Sequence, residues 1–401
     1  MTFKLDMIQT ASLAVVVLLF GKFIKRKLPL LDKYCIPEPV IGGLLFAILM
    51  LIFKQTGILI LDMDATLQSF FMTAFFTTVG FTASFKLLKK GGLQVLIFLS
   101  ICIVLIFLQN MVGIFFAKVF NLNPLIGICT ASVPLVGGLG TSGAFGPLFE
   151  SVGAVGATTV AIASATFGLI MGSIIGGPIS KRLIEKNNLV NLYSNFGNDY
   201  DETASTYESS VTELVPNNFM NATTEIFLAM GLGTIISLLL KMSGMTFPPY
   251  IGAMFAAAII RNLSDGTKAF EIYEDEIDII GNVALSLFLS MALMSLKLWQ
   301  LADLALPLIV MLIAQTIVMI IFAYYITFYF MGKDYEAAVI SSATCGFGMG
   351  STANAMANMD AITNKYGPAP KAFFIVPLVG SLFIDFFNAG IVTLFMNFFT
   401  K

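Results

Sequence analysis

The sequence predicts an all-α membrane protein built as two inverted-topology repeats, each with five transmembrane helices and a re-entrant glycine-rich hairpin. Three observations predict it. The 401-residue chain is 57% hydrophobic and only 11% charged, against roughly a quarter charged for soluble domains. Apolar runs near the bilayer-spanning length of about 20 residues recur from end to end. Two glycine-studded segments, Val136-Gly-Gly-Leu-Gly-Thr-Ser-Gly143 and Cys345-Gly-Phe-Gly-Met-Gly-Ser-Thr352, interrupt that apolar sequence, and a shift of 211 sets Gly137 on Gly348 and Thr141 on Thr352.

The first half offers spans near 7–24, 37–54, 67–85, 92–118 and 153–178, with a broken segment at Pro124–Glu150. The second offers 223–241, 247–260, 278–296, 304–331 and 371–398, broken at Tyr335–Thr363. The run from Met7 to Ile24 has no basic lead-in beyond Lys4 and no small-residue cleavage site after it, so it reads as a retained span. The arms of the broken segments, 10–14 residues, are too short to cross a bilayer and suit re-entrant hairpins. Pro134 and Pro147 predict further breaks in the first. Between the halves, 183–222 is polar and asparagine-rich and carries Asp199, Asp201, Glu202, Glu208 and Glu213, which marks an extramembrane linker. The expected units are therefore a repeat at 1–182, a linker at 183–222 and a repeat at 223–401.

The repeat extends beyond the loops. Pro39-Val-Ile-Gly-Gly-Leu-Leu-Phe-Ala47 returns as Pro249-Tyr-Ile-Gly-Ala-Met-Phe-Ala-Ala257, Ser84-Phe-Lys-Leu87 as Ser295-Leu-Lys-Leu298, and Gly168 as Gly380. Matches in one order at near-constant spacing point to an internal duplication. Five crossings per half turn the second half upside down. With the N-terminus outside, sixteen of the 22 basic residues, among them Lys25, Arg26, Lys33, Lys89, Arg182 and Lys268, fall on one face, and six, among them Lys54, Lys118 and Lys401, on the other. The positive-inside rule then sets both termini outside and the linker in the cytoplasm.

Composition also excludes. A net charge of −2 leaves no basic footprint for nucleic acid. The absence of histidine removes the usual proton shuttle and the commonest metal ligand. Cys35, Cys102, Cys129 and Cys345 have no metal spacing and read as packing residues. Gly346-Phe-Gly348 is followed by Met349 rather than aspartate, which argues against an intramembrane aspartyl protease and leaves no enzyme reading.

Lipid offers no hydrogen bonds, so irregular backbone at membrane depth survives only where it lines a protein cavity. Paired broken segments are the sequence mark of a transporter's binding site. A helix that starts at a glycine turn presents unpaired N–H groups and partial positive charge, which makes a cradle for a carboxylate. Gly137, Gly138, Gly140, Gly348 and Gly350 allow close approach to the backbone. Thr141 and the Ser351-Thr352 pair are expected N-caps, with Ser142 beside them. The first arms end in free carbonyls suited to a sodium ion. Gly113, Gly168 and Gly172 read as packing glycines.

Arg26, Arg182 and Arg261 all fall at predicted membrane edges, so a carboxylate at mid-membrane would rely on N–H groups and hydroxyls. Asp385 is the clearest ionisable residue inside a span, a partner for a substrate ammonium, a sodium ligand, or an interhelical hydrogen-bonding group. Asn354 and Asn358 lie a turn apart and can share a cavity face. Gln109-Asn110 and Gln315-Thr316 are mid-span amides that either glue helices or bind ligand. Asp385, Asn388, Thr141 and Gln109 are the sodium candidates. With so few carboxylates and no histidine, sodium coupling is favoured over proton coupling.

At these residues the chain resembles the bacterial sodium/glutamate symporter family, over all but the linker. The motifs that carry the resemblance are Ile36-Pro-Glu-Pro-Val-Ile-Gly-Gly43, Gly137-Gly-Leu-Gly-Thr141, Gly281-Asn-Val-Ala-Leu-Ser-Leu-Phe-Leu289, Leu296-Lys-Leu-Trp299, Cys345-Gly-Phe-Gly-Met-Gly350 and Ala357-Asn-Met359. The resemblance implies sodium-driven glutamate transport across the bacterial inner membrane by a homodimer with a scaffold part and a moving part. It implies no organic cofactor. The chain departs from the family pattern at Leu139 and Thr344, where members often carry histidine. A sodium symporter of another small carboxylate, such as a hydroxycarboxylate, is the neighbouring reading, and an anion channel is the reading of a different class.

Overall fold

Apolar helices need a capped start and a polar stop, and the first helix has both. In α1 (Met7–Lys27), Asp6 Oδ1 accepts from the N–H groups of Ile8 and Gln9 at 2.9 and 2.8 Å, and Gln9 returns a bond to the Asp6 N–H. Lys25, Arg26 and Lys27 fill the last turn, where they complement the helix dipole. The computed structural model describes residues 2–28, 31, 36–57, 60–90, 92–189, 216–242, 248–267, 270–301 and 304–400. Cys35, Lys33, Lys268, Lys401 and the five acidic linker residues lie outside the described residues.

The chain continues through α2 (Glu38–Gln55), α3 (Thr66–Thr82), short α4 (Phe85–Lys90) and α5 (Gly92–Val119). Then come α6 (Pro124–Ile128), α7 (Ser132–Leu135), α8 (Gly138–Ser151) and α9 (Ala157–Lys186). The second half holds α10 (Pro216–Met242), α11 (Pro249–Thr267), α12 (Glu274–Met294), α13 (Ala305–Ile321), α14 (Tyr335–Met349), α15 (Thr352–Tyr366), α16 (Pro370–Leu382) and α17 (Ile384–Phe399).

Among the described residues, eight helices are long and apolar enough to cross a membrane, and a bent pair, Pro370–Gly380 with Ile384–Phe399, makes nine. Ten were expected. The tenth, α11, has the length, but its last two turns carry Arg261, Asn262, Ser264 and Asp265, which lower its hydropathy. The final span is not continuous: it breaks at Phe383 and bends by 43°. The expected linker also shrinks, because α9 runs to Lys186 and α10 starts at Pro216. Pro147 lies inside α8 without ending it. α13 continues through a π-helical turn, Phe322–Thr327, to Phe330. The all-α expectation also missed a two-stranded parallel ribbon, β1 (Thr2–Leu5) on β2 (Ile60–Met63), in register Thr2 on Ile60.

Packing divides the helices into two groups. In one, α1 packs on α2, α2 on α12, α3 between α11 and α12, and α10 on α11. Without a hydrophobic drive between helices in lipid, small residues set such contacts. A Cβ on Gly21 would meet the Glu38 carbonyl, and one on Gly42 the Val17 carbonyl. The same device joins α10 to α11, where Gly233 lies against Ala253 and Gly252 against the Gly233 carbonyl. The other group contains α5, α9, α13, α16, α17 and the two broken segments, with α9 packed on α8, α14 and α15. α8 reaches across to the first group, where Gly140 meets Phe75 and Gly143 meets Phe288. Tyr250, fully buried, stacks on Phe76 at 4.0 Å and stands edge-on to Phe145 of α8 at 6.0 Å.

Candidate functional site

Both glycine loops are breaks between short buried helices. In the first, α6 and α7 form one arm and α8 the other, with the turn at Val136-Gly137. In the second, α14 and α15 are straight arms of 15 residues each, about 22 Å of helix. The irregular backbone is enclosed by protein: residues 129–136 and 341–350 are all buried. That is the condition for non-helical backbone at membrane depth.

The second loop is capped by its side chains. The Ser351 Oγ accepts from the Asn354 N–H at 3.3 Å, and the Ser351 N–H donates to the Gly346 carbonyl at 3.1 Å. Ser351 is therefore the expected N-cap of α15. Thr141 is not the N-cap of α8. That position is Gly137, with no side-chain bond, and Thr141 sits a turn inside the helix, its N–H donating to the Gly137 carbonyl at 3.3 Å. The reason is the backbone at Gly138, whose φ of +62° only glycine adopts readily, so the helix starts earlier than a threonine cap requires.

The two loops touch. A Cβ on Gly138 would lie 3.3 Å from the Gly350 carbonyl. Gly137 is hemmed in by Thr141 and by the Asn388 amide, whose Nδ2 would be 2.7 Å from its Cβ. Asn388 donates to the Ser132 carbonyl at 3.1 Å, and Ser132 Oγ donates to Asn110 Oδ1 at 3.0 Å. On the other side, Gln109 Nε2 donates to the Gly348 carbonyl at 2.8 Å, and Gln315 Nε2 to the Gln109 carbonyl at 2.8 Å. Gly137, Gly138, Thr141, Gly350, Asn388 and, through Gly348, Gln109 thus converge. Asp385 opens α17 just after the break at Phe383 and one turn before Asn388. It is half-buried, and among the described residues no hydrogen bond or ion pair reaches its carboxylate. Thr352 lies beside Gly380 of α16.

Three expected site residues face elsewhere. Asn354 donates to the Leu169 carbonyl at 2.7 Å, and Asn358 to the Gly172 and Ser342 carbonyls at 2.9 and 3.2 Å. Both amides pin the second hairpin to α9. Ser142 is buried, its Oγ donating to the Gly138 carbonyl at 2.7 Å and lying 3.3 Å from that of Ala161. Gly168 and Gly172 act in packing, as expected: Gly168 abuts the Met349 carbonyl and Gly172 the Cys345 carbonyl, while Gly113 abuts Gly127. The positions of the missing histidines are buried, Leu139 beside the first loop and Thr344 bonded to the Ile340 carbonyl. Arg26 and Arg182 are exposed, and Arg261 is tied to Asp265 and Glu274 at 3.3 and 2.5 Å. Among the described residues, no arginine therefore stands at the two loops. Gln315 was among the mid-span amides expected to glue helices or bind ligand, whereas Ser132 was not expected here. Ser132 offers no sequence signal, because its backbone carbonyl is what matters.

Among the described residues, no donor reaches three buried amide oxygens here, Gln109 Oε1, Gln315 Oε1 and Asn388 Oδ1. Leaving a buried acceptor unpaired costs about 1–3 kcal/mol.

Comparison with known proteins closes the question of kinship. A profile of the sodium/glutamate symporter family matches residues 3–368. The chain belongs to the sodium/glutamate symporter family. It is 39% identical over 400 residues to the sodium/glutamate symporter of Escherichia coli (strain K12), covering 98% of each chain. It is 38% identical over 393 residues to that of Haemophilus influenzae (strain ATCC 51907 / DSM 11121 / KW20 / Rd), covering 98% of this chain and 97% of the relative.

Proposed function

We infer that the chain couples the entry of L-glutamate to sodium across a bacterial cytoplasmic membrane, by alternating access. The observation that carries this reading is the contact of the two broken loops, Gly138 against Gly350, in a member of a family named for sodium/glutamate symport. The N–H groups that open α8 and α15 hold the substrate carboxylate. Asp385 takes the ammonium or a sodium ion, and Thr141, Asn388 and Gln109 supply further oxygens near the loops. The names of these relatives support glutamate and sodium as the substrates.

The same reading gives the architecture a role. The two halves are inverted repeats, a view supported by Gly21 and Gly42, which pack α1 on α2 and whose counterparts 212 and 210 residues later, Gly233 and Gly252, pack α10 on α11. The broken segments are re-entrant hairpins from opposite faces. The α1–α3 and α10–α12 group is the scaffold, the remaining helices move past it, and both termini lie outside with the central linker in the cytoplasm. Apolar residues exposed on α10, among them Leu228, Leu232 and Ile235, give the scaffold a face for lipid or for the second copy in a homodimer.

Uptake of labelled glutamate into proteoliposomes tests the function. An inward sodium gradient should drive it and a pH gradient alone should not; full uptake driven by protons without sodium defeats the reading. Leu139 and Thr344 in place of the family's histidines make hydroxycarboxylates the competitors to include. Suppression of glutamate uptake by a smaller excess of hydroxycarboxylate than of glutamate would reassign the substrate.

A further inference from the structure

Where α3 ends, the chain turns a corner into α4, and that corner is held from the side by α11. Asn262 Nδ2 donates to the Ala83 carbonyl at 2.7 Å, and Asn262 Oδ1 accepts from the Phe85 N–H at 2.8 Å. Ser84 Oγ donates to Asp265 Oδ2, which also accepts from Arg261 Nε at 3.3 Å. These bonds fix α4 against the end of α11 and leave a cavity of about 570 Å³ between them. Its walls are Phe85, Lys86 and Lys89 from α4 and Asn262, Asp265 and Gly266 from α11.

Two positive charges on these walls have no partner. Asn262 has spent both ends of its amide on backbone groups, and Ser84 and Arg261 take up the Asp265 carboxylate. Lys86 and Lys89, three apart and so on one face of α4, are exposed. Among the described residues, neither ammonium forms an ion pair or a hydrogen bond. Apolar surface borders them, since Phe85, Leu93 and Leu263 are all more than half exposed. Paired lysines beside bare phenylalanine and leucine, at the end of an apolar helix, fit the headgroup layer of a bilayer. There ammonium groups reach for phosphate and aromatic rings sit at headgroup depth.

The duplicated corner in the second half lacks this pair. Ser84-Phe-Lys-Leu87 returns as Ser295-Leu-Lys-Leu298, and continuing the match sets Lys89 on Gln300. One lysine of the pair is kept there, and the ammonium of Lys54 lies 3.3 Å from the centre of the Trp299 ring in the same turn.

We propose that the cavity between α4 and α11 holds the phosphate of an anionic phospholipid, with Lys86 and Lys89 as its ligands and Phe85 against the acyl chains. Basic pockets between membrane helices recognise such headgroups, and lysine binds phosphate as a point charge. The bound lipid anchors α4, the link through which α3 of one helix group passes to α5 of the other. Nothing in this depends on the transported substrate or on which leaflet borders α4.

Native mass spectrometry of the purified full chain in neutral detergent tests it, with phosphatidylglycerol and phosphatidylcholine of identical acyl chains as probes. Phosphatidylglycerol should bind about 10-fold more tightly. Lys86→Gln combined with Lys89→Gln should abolish that preference, while Lys86→Arg combined with Lys89→Arg keeps it. Lys297→Gln, in the duplicated corner, should leave it unchanged. Equal binding of the two lipids by the unaltered protein overturns the proposal. So does a preference that survives both glutamine substitutions or falls equally with Lys297→Gln. Displacement of the lipid by millimolar inorganic phosphate would make this a site for a soluble anion and overturn the lipid assignment as well.

Discussion

The two glycine hairpins share a design and differ in what holds them. The second has straight arms, a serine cap, and two asparagines donating to carbonyls of α9 at 2.7 and 2.9 Å. Its α14 arm is buried along its whole length, and it nests on Gly168, Gly172 and Gly176 of α9. The first has a broken inbound arm, no side-chain cap at the start of its outbound arm, and glycines on that arm that face the rings of Phe75 and Phe288 on the other helix group. Hydrogen bonds to fixed carbonyls have one good register, whereas ring-on-glycine contacts tolerate sliding. The second hairpin is therefore fixed in register on α9, whereas the first packs on α9 and also meets α3 and α12 of the other group.

Substitutions should expose this difference, and the largest effect belongs to the rigid side. Gly168→Val places a branched side chain against the Met349 carbonyl, a backbone atom that cannot turn aside. A cost of about 3 kcal/mol or more is expected, seen as loss of the monodisperse peak in size-exclusion chromatography. A normal peak would mean that the α9 contact is loose.

Next comes Asp385→Asn, at the break from which α17 starts. It keeps the side chain's size and removes its charge, so folding should persist while sodium-driven uptake falls about 100-fold. Uptake at the unaltered level would reduce Asp385 to a structural residue.

Asn354→Ala strips a donor from the buried Leu169 carbonyl. The expected loss is about 1–2 kcal/mol, read as a lower melting temperature. An unchanged melting curve would show that the amide is not what pins the hairpin.

The smallest effect on stability is expected from Gly140→Ala, whose methyl would come 3.0 Å from a ring atom of Phe75 that can rotate away. Stability should change by less than about 1 kcal/mol, while the rate of uptake should drop if this surface slides. A change in stability without a change in rate would place the moving boundary elsewhere.

How much of this could be read from the sequence follows from the range of the interactions involved. The helix breaks at the glycine loops were legible because a broken apolar helix is a local event. Gly113, Gly168 and Gly172 were legible as packing glycines for the same reason. The break at Phe383 was not, since Gly380-Ser-Leu-Phe383 differs little from tolerable helix in a membrane. The turning of Asn354 and Asn358 toward α9 was hidden as well. Helical spacing shows that two residues share a face but not which neighbour that face meets. Gln109 and Asn388 stood out as polar residues in apolar sequence, yet their partners are carbonyls of chemically ordinary residues far along the chain. Thr141 was misassigned because a threonine after glycines is a good cap by type, and only the positive φ at Gly138 moves the helix start.

The bond between Asn388 and Ser132 spans 256 residues, and that between Gln109 and Gly348 spans 239. Ribosomes add about 5–20 residues per second, so the first partner of each pair waits roughly 10–50 s for the second to be made. During that interval Gln109 is already within an apolar segment bound for the bilayer, while its acceptor is not yet made. Biogenesis therefore passes through a half-built protein in which Gln109 waits for α14, and the bond that ties α7 to α17 forms last.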